Sequence, residues 1–113
     1  MNGDAADGIQ QDYFALEGNI GGHSERLLKD LPARVSQSSV RFDFTRAGKI
    51  DSMGLTLLLR CFKEIRETKN AEILVEGLTP MHSTLFRMTG VFLLASMVET
   101  KRGARTNAPP SFG

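Results

Sequence analysis

Hydrophobic and polar residues alternate with a period of two along residues 40–44. The apolar positions are Val40, Phe42 and Phe44, and the polar positions between them are Arg41 and Asp43. Such alternation is typical of a β-strand with one buried face. Apolar segments at residues 13–16 and 71–75 each end close to a glycine and predict two more strands, while residues 95–99 are a candidate for a last short strand.

A different spacing, of three and four residues, begins at Asp51 or Ser52 and continues to about residue 68. It predicts a long helix with one buried apolar stripe, which Asn70 should end. The residues of that stripe are Leu55, Leu58, Leu59, Phe62 and Ile65. A shorter helix should precede it, because Ser24 is a typical capping residue and Pro32 should end or bend the helix that follows.

A third helix should start at Thr79, where a capping threonine precedes a proline at the first helical position, and stop at Gly90. We expect its residues Met81, Leu85 and Met88 to face inward. The resulting order of alternating strands and helices predicts an α/β domain. Crossover connections between successive strands favour a mostly parallel sheet with helices packed against it.

The chain has 113 residues, which suits one domain, expected at residues 12–100. Residues 1–11 are polar and acidic and have neither the basic head nor the apolar run of a secretory signal. We expect them to form a flexible leader. Residues 101–113 combine glycine, two prolines and basic residues, which is typical of a flexible tail.

Charge and cysteine content exclude several function classes. Fourteen basic and 13 acidic residues give a net charge of +1, so electrostatics provides no reason to expect nucleic acid or a membrane surface as the partner. No apolar stretch approaches the ~20 residues that span a bilayer, and no direct membrane insertion is expected. Cys61 is the single cysteine, which rules out an intrachain disulfide and suits a soluble cytoplasmic protein.

Candidate catalytic chemistry is sparse. His23 and His82 are the only histidines, and we expect them to be surface or capping residues and not metal ligands. Ser52 could pair with a histidine, but the Gly-x-Ser-x-Gly motif of a hydrolase nucleophile is missing. Cys61 lies beside the apolar stripe and should be packed and inert. Nucleotide-binding glycine motifs are also missing, so we expect no enzyme activity, no metal and no cofactor.

The most informative segment is residues 50–55, where a loop containing Asp51, Ser52 and Gly54 opens the long helix. Free N–H groups and the helix dipole favour negative charge at such a position. A phosphorylated hydroxyl there would be stabilised locally and would change the charge of the surface. Simple capping by Asp51 or Ser52 explains the same residues, and the residues alone favour capping.

Several blocks together resemble the STAS domain of bacterial anti-sigma-factor antagonists. They are VRFDF at 40–44, IDSMGLTLLL at 50–59, AEILVEG at 71–77 and LFRMTGV at 85–91. The resemblance covers residues 13–99 and implies a mostly parallel or mixed sheet of four to five strands backed by helices. It also implies a partner-binding surface formed by the loop after the first strand, the Asp-Ser loop and the start of the long helix. In this sequence that surface comprises Asn19, Ile20, Gly21, Asp51, Ser52, Met53, Gly54 and Thr56.

Two residues depart from the family pattern. The second serine of Asp-Ser-Ser-Gly, which a partner kinase phosphorylates in the antagonists, is Met53 here, and Ser52 is the remaining candidate phosphoacceptor. The acidic residue of the first loop is replaced by Gly21. Met53 is either an exposed apolar contact or a residue that packs under the loop.

The resemblance implies a non-enzymatic regulator whose partner is an anti-sigma factor that is also a serine kinase, or a related regulator. The usual phosphorylation switch would be missing. The alternative is a soluble STAS subunit of a lipid-transport ABC complex, because such subunits often lack the switch serine.

Overall fold

The computed structural model describes residues 10–98, which contain six strands and three α-helices. The strands are β1 (Asp12–Ala15), β2 (Gly18–Ile20), β3 (Ser39–Asp43), β4 (Ala47–Ile50), β5 (Glu72–Glu76) and β6 (Ser96–Met97). The helices are α1 (Glu25–Arg34), α2 (Ser52–Glu64) and α3 (Pro80–Thr89). Residues 1–9 of the expected leader lie outside the described residues, and so does the whole of the expected tail, residues 101–113.

The central sheet has the strand order β1-β3-β5-β6, and every neighbouring pair is parallel. Alternation along β3 places Val40 and Phe42 in the core, while Arg41 and Asp43 lie on the opposite face and are partly exposed. The α/β fold with a parallel sheet of four strands is therefore confirmed. Of residues 95–99, the suggested last strand, Ser96 and Met97 pair with β5.

A second sheet, formed by β2 and β4, was not predicted from the sequence. These segments give no strand signal, because glycine and asparagine have low strand propensity. The two short strands run parallel, with Gly18 opposite Ala47 and Ile20 opposite Ile50. The Asn19 side chain supports the pairing, since its Oδ1 accepts a hydrogen bond from the Lys49 N–H at 2.9 Å.

The buried stripe of α2 is confirmed, with one adjustment. Leu55, Leu58, Phe62 and Ile65 are buried, while Leu59 is only partly buried. Phe62 of this stripe packs against Phe42 of β3, and the centroids of the two rings are 4.9 Å apart. Side-chain packing of this kind, and not intrinsic helix propensity, holds most helices in place.

The helix boundaries differ in detail from the expectations. α1 continues past Pro32 to Arg34: the proline removes only its own N–H from the last turn, and its ring is buried. Ser24 occupies the N-cap position of α1, but its hydroxyl accepts a hydrogen bond from the Gly21 N–H instead. α2 is followed by a π-helical turn, Ile65–Lys69, which ends at Asn70 in the left-handed region as expected.

The inward face of α3 was predicted correctly only at Leu85, which is partly buried against the core. Met81 and Met88 are 75% and 78% exposed, and the buried residues are His82 and Phe86. The two stripes differ by one residue, which is a rotation of about 100° around the helix axis. Phe86 decides the orientation, because its ring packs edge-on against Phe44 with centroids 5.4 Å apart.

Within residues 10–98, no helix combines the length and the apolar character needed to cross a membrane.

Candidate functional site

Pairing of β2 with β4 brings together the two loops that the family resemblance singled out. The Asp51 N–H donates a hydrogen bond to the Ile20 carbonyl at 3.1 Å, directly after the pairing of Ile20 with Ile50. Residues 19–22 therefore lie beside residues 51–56, where α2 begins. We call these two segments together the α2-start site.

Asp51 is the N-cap of α2. Its Oδ1 accepts a hydrogen bond from the Gly54 N–H at 2.8 Å, and its own carbonyl accepts the first helical bond from the Leu55 N–H at 2.9 Å. The expectation that Asp51 or Ser52 opens the helix is thus resolved in favour of Asp51. Because its carboxylate satisfies a free N–H of the first turn, Asp51 fixes the backbone direction at the site.

Gly54 and Gly21 allow the two loops to lie close together. A side chain on Gly54 would overlap the Ile20 carbonyl oxygen, so the first turn of α2 lies directly on the β2 backbone. A Cβ on Gly21 would lie 2.6 Å from Asp51 Oδ2. The acidic residue expected from the family pattern at Gly21 would therefore crowd a carboxylate of the same charge.

Exposure divides the predicted partner-binding residues into two groups. Ile20, Gly21 and Gly54 are buried and shape the backbone of the site. The exposed residues are Asn19, Asp51, Ser52, Met53 and Thr56. Direct contact with a partner is therefore open to the side chains of the second group alone.

Met53 is 52% exposed, so its side chain is not buried beneath the loop. Its Cγ lies over the β2–α1 loop, where a Cβ on Gly22 would be 3.7 Å away. Nearby, the Thr56 hydroxyl donates a hydrogen bond to the Ser52 carbonyl at 3.0 Å. The first turn of α2 thus presents an apolar thioether beside two hydroxyl-bearing side chains.

His82 supports the site from α3 and had been expected only as a surface or capping residue. It does cap the helix: its Nδ1 accepts from the Thr79 N–H at 3.4 Å, while the Thr79 hydroxyl accepts from the His82 N–H at 3.0 Å. This arrangement leaves the proton on Nε2, which donates to the Gly48 carbonyl of β4 at 2.8 Å. A buried histidine, 5% exposed, thereby ties α3 to β4.

A groove of about 500 Å³ runs between β4 and the start of α3, next to the α2-start site. Its lining residues include Ala47, Lys49, Ile50, Asp51, Met81 and Leu85. Met81 and Leu85, two of the three residues expected on the inward face of α3, line this groove and are the signal for it in the sequence.

The arrangement of the described residues gives little support to catalysis. The His23 ring contacts the Asn19 carbonyl at 2.8 Å, and both ring nitrogens of His82 have backbone partners. Cys61 is buried, and burial, together with the charge of Glu64, raises the pKa of its thiol to about 12. Residues 10–98 contain no cluster of three or more side chains that could hold a metal ion.

The family model of the STAS domain matches residues 8–104, which is most of the chain. The chain belongs to the STAS domain family. No curated protein matches it. The α2-start site therefore lies in a STAS domain, at the position where the sequence resemblance places the partner-binding surface of the anti-sigma-factor antagonists.

Solved structures share the fold of this STAS domain at low sequence identity. The unphosphorylated anti-sigma factor antagonist SpoIIAA is 17% identical over 82% of this chain and 84% of its own, with a TM-score of 0.63. A sulfate transporter family protein from Wolinella succinogenes is 15% identical over 76% and 75%, with a TM-score of 0.65. The SulP transporter STAS domain from Vibrio cholerae is 12% identical over 76% and 72%, with a TM-score of 0.63.

Proposed function

We propose that this STAS domain is a non-enzymatic, cytoplasmic regulator that binds an anti-sigma factor of the serine-kinase type through the α2-start site. The observation that carries the proposal is the exposure of Asp51, Ser52, Met53 and Thr56 on a backbone fixed by the Asp51 cap and the β2–β4 pairing. A rigid support reduces the ordering cost of binding. The structural similarity to the antagonist SpoIIAA supports this class of partner.

Met53 is the central contact in this proposal. A half-exposed methionine is flexible and apolar, and it adapts to the surface of a partner at low cost. Residues in the centre of an interface contribute most of the binding energy, and the polar side chains around them exclude water. In this proposal the exposed side chains of Asp51, Ser52 and Thr56 supply the polar part of the interface.

The usual phosphorylation switch is missing from the proposed mechanism. Met53 occupies the position of the family's phosphoacceptor and has no hydroxyl. Ser52 is exposed, but it lies one residue earlier in the first helical turn, so its hydroxyl points in a different direction around the axis. We therefore propose that the domain binds its partner without being switched at this loop.

Binding is tested by capturing the partner from native cells and measuring the dissociation constant with the purified, identified protein. Met53→Asp should weaken binding roughly tenfold or more, because it places a charge in the apolar centre of the interface. Met88→Asp is the matched control: Met88 is also exposed, but it lies on α3, outside the site, and binding should change by less than about twofold. Equal effects of the two substitutions would contradict the proposed surface.

The missing switch is tested by incubating the domain with the captured kinase and ATP, followed by mass spectrometry. We expect no stoichiometric phosphate on Ser52, and we expect Ser52→Ala to bind as the natural chain does. Stoichiometric phosphorylation of Ser52 that releases the partner would show that the domain is switched after all.

A transporter-associated function is the second candidate. Two of the similar structures are a sulfate transporter family protein and the STAS domain of a SulP transporter. A soluble STAS subunit of a lipid-transport ABC complex belongs to the same broad class. Capture of an ATPase together with its permease, in place of a serine kinase, would favour this candidate and overturn the first.

A further inference from the structure

The central sheet has a second face that the proposed function does not use. Opposite the core, neighbouring strands bring together Tyr13, Arg41, Asp43, Leu74 and Glu76. Tyr13 is 55% exposed, and the other four side chains are partly exposed. We call this surface the open face. It lies on the other side of the sheet from the core residues that contact α2.

The open face carries more negative than positive charge. Arg41 Nη1 forms an ion pair with Glu76 Oε1 at 2.7 Å, which neutralises one carboxylate. Asp43 and the exposed Glu72 remain without a basic partner among the ion pairs of the described residues. Burial raises the pKa of Asp43, but hydrogen bonds from Thr45 and Tyr13 outweigh it and hold the pKa below its usual value, so the carboxylate stays ionised at neutral pH.

The chain leaves the described structure at the edge of the open face. The Val98 N–H donates to the Val75 carbonyl at 2.7 Å, after the pairing of Val75 with Met97. Val98 therefore lies next to Glu76 at the edge of the sheet. In the same row of the open face, Glu76 is opposite Asp43.

The segment that follows carries the opposite charge. Residues 101–105 read KRGAR and contain three basic side chains: Lys101, Arg102 and Arg105. They lie three to seven residues beyond Val98, a reach of roughly 10–23 Å for an extended chain. Strands in a sheet are about 4.8 Å apart. Asp43 on β3 lies two strands from β6, so it is roughly 10 Å from Val98. The basic segment is therefore long enough to cross the open face.

We propose that the open face is the docking site of this chain's own basic segment, residues 101–105. Its cations pair with Asp43 and Glu72 and add to the Arg41–Glu76 pair, while the aliphatic parts of the basic side chains cover Leu74 and Tyr13. The contact is electrostatic and exposed, so it forms at low ionic strength and dissociates as salt screens the charges. This inference is independent of the α2-start site and of its partner.

A nitroxide spin label tests the docking in the full chain. Thr106→Cys places the label next to Arg105, and the native thiol of Cys61 does not compete for the reagent because it is buried. At low salt we expect the amide signals of Tyr13, Asp43 and Glu76 to broaden more than those of Leu27 and Lys29 on α1. In about 1 M NaCl, where charges are screened within about 3 Å, this difference should disappear.

The matched control carries Lys101→Gln, Arg102→Gln and Arg105→Gln in addition to the label. Tail length and attachment are unchanged, so any broadening that comes only from tethering remains, while the excess on the open face should be lost. Asp43→Asn with Glu72→Gln should remove the same excess from the other side of the contact. Amide spectra of each variant, recorded without the label, show whether the fold is kept.

Two results would overturn the docking within one chain. The first is open-face broadening that is no stronger than that on α1, or that survives neutralisation of the three cations. The second comes from mixing spin-labelled chains with isotope-labelled chains that carry no label. Broadening of the open face in that mixture would mean that the segment binds a second copy.

Discussion

Single residues decide how closely the two loops of the α2-start site approach. Gly54 is the clearest case, because it lies in the first turn of a helix, where alanine would normally be preferred, yet its neighbour is the Ile20 carbonyl. Gly21 likewise leaves space for the Asp51 carboxylate. Neither glycine has a positive φ, so the requirement is for space and not for an unusual backbone conformation.

Gly54→Ala should destabilise the domain by about 1–3 kcal/mol, the usual cost of forcing extra volume into a packed position. Helix propensity alone would predict a gain of up to about 1 kcal/mol, so the sign of the change distinguishes the two effects. Urea denaturation followed by circular dichroism measures the free energy of unfolding.

Gly22→Ala is the control for Gly54→Ala. A Cβ there would meet Met53 Cγ at an ordinary contact distance of 3.7 Å, and the change should stay within about 0.5 kcal/mol. If Gly54→Ala proved neutral or stabilising, the close packing of α2 on β2 would be wrong.

At the scale of elements, two short strands and one histidine hold the site in place. β2 and β4 are too short to form a stable sheet alone, but they connect to the core through the buried Ile20 and through the bond from His82 to the Gly48 carbonyl. α3 is thereby tied to the second sheet as well as packed against Phe44. The position of α3 and that of the groove beside β4 are therefore coupled.

His82→Leu should cost about 1–3 kcal/mol of stability, because the partly buried Gly48 carbonyl and the Thr79 N–H both lose a hydrogen-bond partner. Amide exchange should accelerate first at the start of α3. His23→Leu changes the same residue type at an exposed position with one backbone contact, and the free energy of unfolding should move by no more than about 0.5 kcal/mol. Equal effects of the two substitutions would contradict the structural role of His82.

At the scale of the whole molecule, one core joins the central sheet to α1 and α2, and Cys61 lies within it. Its pKa is raised from the ordinary value of 9.0 to about 12, because burial disfavours the thiolate. The folded pKa lies above that of the unfolded chain, so the unfolded state loses the proton first as pH rises. The protonated thiol therefore favours the folded state fully below about pH 9. This contribution to the free energy of unfolding is lost as the pH rises from 9 to about 12.

Labelling of Cys61 by a thiol reagent at pH 8 should therefore report unfolding of the core. We expect its rate in the native chain to be far lower than in urea, and to follow the unfolding rate when stability is changed. Met53→Cys supplies an exposed thiol in the same fold, which should react at once. Modification of Cys61 at a comparable rate in the native chain would contradict its burial.

The sequence by itself determined the order of the main strands and helices, the core faces of β3 and α2, and the start of α2 at Asp51 or Ser52. Each of these follows from local periodicity or from a residue type acting on its neighbours in the chain. The position of the α2-start site was also predicted from the sequence, because residues 50–59 resemble the family motif. Its role in binding a partner stays a prediction.

The tertiary structure alone decided three further features: the pairing of β2 with β4, the rotation of α3 and the role of His82. Each depends on residues far apart in sequence. Ile20 must meet Ile50, and Phe86 must meet Phe44, before the competing apolar stripe of Met81 and Met88 turns outward. Local periodicity shows that a helix has an apolar face, but where two such faces exist, packing against the core selects the one that is buried.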